Sequence, residues 1–276
     1  MEKRYDAPGL RDFLKKEIIG QTKAIDRVCD ALERGERGVI LAGPCGCGKT
    51  LIARKMSEYF YGMEYSMRQF DMFGLHKEQY VEDVKKLILE HLAERPDALF
   101  LFDEIQWPCT KMRNMLFALL ADKTVATWEG EVLPMEKTFL ILTAKGDLDF
   151  YLDECASTEL KETLRSHWVE LDPLTPDELR ECILRKMKRA ENGAKRIHVK
   201  LSWDETVPEA IYQAMEKPAC GRAAFHQVEE WKTQLWHKIY NLVELGEDAS
   251  EYLTVHTKAY AGTEESLEVE IGHEAK

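Results

Sequence analysis

The residues best suited to chemistry lie in the stretch Gly43-Pro44-Cys45-Gly46-Cys47-Gly48-Lys49-Thr50. It fits G-x-x-x-x-G-K-[ST], a pattern with a physical reason at each fixed position. A chain of phosphates must be wrapped by backbone N–H groups, and Gly43, Gly46 and Gly48 let the backbone turn and come close. Lys49 supplies a point charge for β- and γ-phosphates, and the Thr50 hydroxyl is a ligand for Mg²⁺. A second stretch, Asp103-Glu104, follows the apolar run Ala98-Leu99-Phe100-Leu101-Phe102. Asp103 would hold Mg²⁺ directly or through water, and Glu104 would polarise an attacking water. Alone, such an acidic pair could simply cap the next helix. Paired with the loop, it reads as the machinery that binds ATP and hydrolyses it.

These side chains need particular elements to carry them. Gly38-Val39-Ile40-Leu41-Ala42 reads as a buried parallel strand entering the loop, and Leu51 to Phe60 as a helix leaving it, with Ile52, Met56, Tyr59 and Phe60 on one face. The N-terminus of that helix adds partial positive charge behind the phosphates. Ala98 to Phe102 reads as a strand buried on both faces, ending where parallel sheets place their ligands.

Before the loop, Leu10, Phe13, Leu14 and Ile18 recur at helical spacing. Thr22 is a candidate cap for a second helix carrying Ile25, Val28, Cys29 and Leu32. Beyond the loop's helix come a strand over Met67–Met72 and a helix over Lys77–Glu94. Another helix carries Met112, Met115, Leu116 and Leu119. Trp128–Glu131 reads as a turn between two short extended pieces. A buried strand over Thr138–Thr143 follows, then a helix containing Leu160–Arg165 and a last strand over Trp168–Leu171. Strands alternating with helices predict a doubly wound, mostly parallel α/β domain.

Pro173 marks an expected boundary between a large domain (1–172) and a small one (173–276). Thr175-Pro176-Asp177-Glu178 is a capping box opening a helix that runs to about Asn192-Gly193. The basic end of that helix suits a solvated C-terminus better than an acidic-partner site. Helices over Val207–Lys217 and Arg222–Leu245 come next. Tyr252–Lys258 and Leu267–Ile271 then alternate as an exposed two-stranded hairpin would.

With 276 residues, 45% of them hydrophobic, the chain can bury a large core. A net charge of −12 disfavours a general nucleic-acid binder. The seven cysteines are scattered, and no apolar segment follows the polar opening Met1–Asp6. Reduced thiols and a cytoplasmic location are expected, with no membrane-spanning run.

The ordered set of motifs resembles the AAA+ ATPases, and within them the Clp-type group. Ile19-Gly20-Gln21 resembles the opening box that contacts adenine, and Phe70-Asp71-Met72 the family's second strand. Phe102-Asp103-Glu104-Ile105, Leu119-Leu120 and the Trp128 to Leu142 segment keep the family's order. The resemblance implies ATP and Mg²⁺ as ligands, held by Ile19, the loop Gly43 to Thr50 and Leu51, with the metal at Thr50 and Asp103. Glu162-Thr163-Leu164-Arg165, followed by Leu171-Asp172-Pro173-Leu174, resembles the family's Glu-Phe-Leu-Asn-Arg element, which makes Arg165 the arginine finger for a neighbouring subunit. Cys220-Gly221-Arg222 resembles the Gly-Ala-Arg element, which makes Arg222 the second sensor, carried by a small, mostly helical lid domain.

Two departures stand out. The family's first sensor is an Asn, whereas the matching residue here is Lys145, with Thr143 a polar stand-in nearby. A cation there can touch the γ-phosphate but cannot accept a hydrogen bond from water, so slow hydrolysis is expected. Between Asp71 and Asp103 there is also no Gly-Tyr-Val-Gly gripping loop; Phe73, Gly74, Leu75 and Tyr80 are the only candidates. In that shortening the chain resembles the torsins, although it keeps Thr50 and reads Cys-Gly-Arg at the second sensor.

The resemblance implies an ATPase that remodels or regulates a protein partner and assembles head to tail with copies of itself, a hexamer being among the possible rings. A rival class stays open: a nucleotide-gated scaffold that binds ATP firmly and turns it over poorly without an activating partner. A loader acting on a nucleic-acid-bound helicase is disfavoured by the acidic charge.

Overall fold

The computed structural model describes residues 7–121, 124–126, 130, 132–135, 137–217, 219–242 and 251–275. They divide into two compact units, Met1–Pro173 and Leu174–Lys276.

The first unit opens with α1 (Ala7–Glu17) and α2 (Thr22–Glu33). Strand β1 (Gly38–Ala42), helix α3 (Lys49–Tyr61), β2 (Arg68–Asp71), α4 (Tyr80–Glu94), β3 (Leu99–Asp103) and α5 (Thr110–Ala121) follow. The short antiparallel pair β4 (Thr124–Ala126) and β5 (Val132–Pro134) leads to β6 (Phe139–Ala144). Helices α6 (Leu148–Glu154) and α7 (Thr158–His167) then precede β7 (Trp168–Glu170). Five strands form one wholly parallel sheet in the order β2-β3-β6-β1-β7. Parallel neighbours need crossovers, and the helices that supply them cover both faces.

The side-chain period of two in the strands divides the core into two layers. Ile40, Phe100, Phe102, Leu140 and Leu142 point to the layer shared with α4 and α5, while Val39, Leu41, Leu101, Phe139 and Ile141 point to the layer shared with α1, α2 and α3. Each such side chain, once buried, contributes about 1.5–3 kcal/mol from area removed from water. This is why the central strands are nearly all apolar.

Several local expectations are corrected. The helix after the loop begins at Lys49 and not at Leu51, so Lys49 and Thr50 belong to its first turn. Helix α4 begins at Tyr80, three residues after Lys77, because 77–79 form a turn. Thr22 is the first residue of α2 and does not cap it; Gln21 holds the cap position without a side-chain capping bond. Its amide instead donates to the carbonyl of Asp172 at 2.8 Å, and the residue is buried. Helix α6 has no counterpart among the expected elements. Trp128, Glu129 and Glu131, in the expected turn, lie outside the described residues.

In the second unit, α8 (Pro176–Lys195) starts at the capping box read from the sequence. The Thr175 N–H donates to Glu178 Oε2 at 2.7 Å, and the Glu178 N–H donates to Thr175 Oγ1 at 3.3 Å. The helix continues through Gly193. Then come β8 (Val199–Trp203), α9 (Thr206–Gln213), α10 (Gly221–Leu242), β9 (Glu251–Ala259) and β10 (Glu268–Ala275). Residues 243–245, the expected end of α10, lie outside the described residues. The expected hairpin is β9–β10, but β8 adds to it in parallel and makes a three-stranded sheet. Nor is that hairpin wholly exposed: Val255, Thr257 and Leu267 are fully buried. Trp231, also fully buried, meets Trp203 edge to face at 6.0 Å.

Candidate functional site

Strand register brings the candidate residues together. Strand β6 lies between β1 and β3, with Leu41 opposite Thr143 on one side and Phe102 opposite Leu142 on the other. Asp103, one residue beyond Phe102, therefore lies beside Thr143, and β1 runs out into the glycine loop one residue further along. A slip of one residue would turn Asp103 to the other face.

The loop itself is tightly seated. A Cβ on Gly43 would lie 2.6 Å from the carbonyl oxygen of Leu171, so no larger residue fits. Gly48 has φ 111°, a left-handed backbone that a side chain would strain. As the N-cap of α3 it offers no side chain to the first turn, whose N–H groups are the kind that bind anions. Lys49 folds back on the loop and donates to the carbonyls of Gly43 at 2.6 Å and Pro44 at 2.7 Å. Pro44 and Cys45 are exposed and Gly46 is half-buried. Cys47 is buried, which pushes its thiol pKa up, and its Sγ lies 3.9 Å from Lys49 Nζ. Leu51 is half-buried on α3, and Ile19 is half-buried between α1 and α2.

At the C-terminal ends of β3 and β6 the polar groups form a connected set. The Thr50 hydroxyl donates to Asp103 Oδ1 at 3.1 Å, and the Thr143 hydroxyl donates to the same oxygen at 2.5 Å. Thr143 Oγ1 in turn accepts the backbone N–H of Glu104 at 2.8 Å. This donor set fits Mg²⁺. The cation prefers oxygen, and typically takes one or two carboxylates plus substrate phosphates rather than an all-protein cage. Among the described residues no three or more His, Cys, Asp or Glu cluster as an all-protein metal site.

Glu104 departs from the geometry expected of a strand end. Its φ is 64°, a left-handed conformation costing of order 1–3 kcal/mol in a non-glycine residue. Three bonds hold it there: its N–H to Thr143, its carbonyl accepting Trp107 N–H at 3.2 Å, and its Oε2 accepting the Trp107 indole N–H at 2.9 Å.

Lys145 and Arg165, in the same unit, do not join this set. Lys145 is exposed; its backbone N–H donates to Gln106 Oε1 at 3.2 Å, and its carbonyl accepts the Tyr151 hydroxyl at 2.8 Å. Burial pushes the Tyr151 phenol up to about 12, so it donates throughout the neutral range. Arg165 is exposed in the last turn of α7, just before the edge strand β7, and no hydrogen bond or ion pair joins it to the described residues of the loop or of β3. Arg222 is exposed in the first turn of α10, in the second unit.

Gln106, Trp107 and Arg113 escape a reading of the sequence. Arg113 is buried and clamps the segment after Glu104: it donates to the carbonyls of Gln106 and Pro108 and pairs with Glu154 at 2.5 Å. No spacing rule signals such a contact; an arginine on an otherwise apolar helix face is the one available hint.

Residues 39–146 match the family model described as ATPase family associated with various cellular activities (AAA). Among curated proteins, the chain is 22% identical over 253 residues to Chaperone protein ClpB 1 of Thermosynechococcus vestitus, covering 77% of this chain and 29% of that protein. It is 27% identical over 183 residues to Chaperone protein ClpB 1 of Synechococcus elongatus, covering 58% and 21%. It is 26% identical over 268 residues to the ATP-dependent Clp protease ATP-binding subunit ClpA homolog of Porphyra purpurea, covering 77% and 32%. The chain thus spans at most about a third of the length of these relatives. Residues 39–146, which carry the glycine loop and the acidic end of β3, thus match the AAA family, and the chain is related to the Clp-type AAA+ ATPases.

Proposed function

We propose that this protein binds ATP with Mg²⁺ at the loop Gly43 to Thr50 and hydrolyses it, using the cycle to remodel or regulate a protein partner. The observation that carries the reading is the bonded set Thr50–Asp103–Thr143, with Glu104 fixed at its side.

The roles follow from chemistry. Loop N–H groups and the first turn of α3 receive the phosphates, and Lys49 exchanges the carbonyls of Gly43 and Pro44 for phosphate oxygens. Thr50 and Asp103 would hold Mg²⁺, which would supply positive charge against the β- and γ-phosphates. Glu104 orients a water and accepts its proton as the water oxygen attacks the γ-phosphorus, while the bond to the β-phosphate oxygen breaks to leave ADP. Arg165, exposed beside an edge strand, suits the role of a cation supplied to a neighbouring copy in a head-to-tail oligomer. Arg222 would act as a second sensor from residues 174–276, serving as the lid. A cytoplasmic setting belongs to the same reading; among the described residues no helix is long and apolar enough to cross a membrane.

One observation favours a slower, scaffold-like variant. The residue in the first-sensor position is the exposed Lys145, a donor that cannot accept from water. Such a protein would hold ATP and await an activating partner. Steady-state ATPase measured over a range of protein concentrations separates the two readings. Specific activity rising to a plateau supports the self-assembling enzyme. A flat, low rate supports the partner-dependent form. No turnover together with no ATP binding would sink both.

A further inference from the structure

We infer that Trp107 is a positioning residue for hydrolysis, its indole N–H fixing the carboxylate of Glu104; the inference rests on Glu104 being the group that activates water.

A glutamate carboxylate at a solvent-facing strand end has three side-chain torsions to order before it can direct a water. Here one of its oxygens is already engaged. The Trp107 indole N–H donates to Oε2 at 2.9 Å, which leaves Oε1 to face the water. The same residue's backbone N–H closes a turn onto the Glu104 carbonyl at 3.2 Å. Trp107 thus touches Glu104 at both ends, and helps hold it in the left-handed backbone conformation that aims the side chain.

The segment carrying the donor is itself anchored. On one side of it, the Ile105 N–H donates to the Thr143 carbonyl at 2.9 Å. On the other, the Cys109 N–H donates to the Leu75 carbonyl at 3.3 Å. Between them, Arg113 binds the carbonyls of Gln106 and Pro108. The ring is steadied by Phe73, which meets it edge to face at 5.3 Å. Trp107 is nevertheless 49% exposed and Phe73 66% exposed. An indole so open to water contributes little as core. Its distinctive contact is the hydrogen bond to Glu104, and a donor aimed at a carboxylate is worth more than a neutral one.

Preorganising the water-activating group acts on the chemical step and not on ATP binding, because the hydrogen bonds and ring contact of Trp107 go to Glu104 and Phe73. Steady-state kinetics of wild type, Trp107→Phe, Trp107→His and Glu104→Gln are the test. Phe keeps an aromatic ring against Phe73 and deletes the N–H; His restores a ring N–H. Trp107→Phe is expected to lower kcat about tenfold with KM for ATP within about twofold, and Trp107→His to recover much of the loss. Wild-type kcat in Trp107→Phe, alongside an inactive Glu104→Gln, would overturn the role of Trp107 alone. Equal losses in Phe and His would also overturn it, by assigning the effect to ring packing. Wild-type turnover in Glu104→Gln would instead remove the reading on which the inference stands.

Discussion

The hydroxyl of Thr143 donates to Asp103 Oδ1 at 2.5 Å while its oxygen accepts the backbone N–H of Glu104 at 2.8 Å, so one side chain on β6 fixes both acidic residues at the end of β3. It is fully buried, and no water can replace it without cost.

Thr143→Val keeps the shape and removes both bonds. Stability should fall by about 1–3 kcal/mol, since the Glu104 N–H and the Asp103 oxygen each lose a partner. Turnover should fall by at least about tenfold, while Thr143→Ser should stay near wild type in both respects. Urea denaturation and ATPase assays check the pair of expectations; a Val variant indistinguishable from wild type would show that the acidic pair needs no such support.

Much of this arrangement is legible in the amino-acid sequence. The apolar runs at Val39–Ala42, Leu99–Phe102 and Phe139–Leu142 have no alternation because both faces are covered, and that signal is hard to mistake. The phosphate loop is legible because each fixed position answers a chemical need. By contrast, Trp107 and Arg113 act through contacts set by chain geometry after β3, which no periodicity encodes. Strand β8 escapes for a related reason. Val199-Lys200-Leu201-Ser202-Trp203 alternates over only five residues, and its partner β9 lies some fifty residues away. The expectation that Thr22 caps α2 fails because the helix begins one residue earlier than expected, with Thr22 in its first turn and Gln21 at the cap position.

The two loop cysteines should differ in reactivity. Cys45 is exposed, whereas burial raises the pKa of the Cys47 thiol and keeps it protonated at neutral pH. Thiolate is the reactive form, so alkylation should modify Cys45 first. Modification of Cys47 should be slow and should quicken as pH rises toward its elevated pKa. Mass spectrometry after timed alkylation at two pH values checks this; faster labelling of Cys47 at neutral pH would contradict its burial.

Arg165 lies exposed just before the edge strand β7, and a cation supplied in trans to phosphoryl transfer is worth roughly a thousandfold or more in rate. Arg165→Ala should bind ATP normally and hydrolyse it poorly. Mixing it with Glu104→Gln should restore some activity, because at some interfaces an intact Arg165 meets an intact Glu104. Two inactive variants that remain inactive after proven co-assembly would remove Arg165 from the shared site.

Lys49 is the one cation of the loop and its ammonium already rests on loop carbonyls, so its loss should act on ligand and not on fold. Lys49→Ala should keep the wild-type melting temperature and lose most of its ATP affinity. Calorimetric titration decides this, and unchanged affinity in the folded variant would take the phosphates away from the loop.

The most direct measurement is the rate of phosphate release from pre-bound ATP with Mg²⁺, in wild type and in Glu104→Gln. Gln keeps the size of the side chain, and its carbonyl can still accept from Trp107, but it cannot take a proton from water. Equal ATP affinity, with release slowed by about a hundredfold or more, is the predicted result. Release at the wild-type rate from the Gln variant would contradict hydrolysis at this site through Glu104.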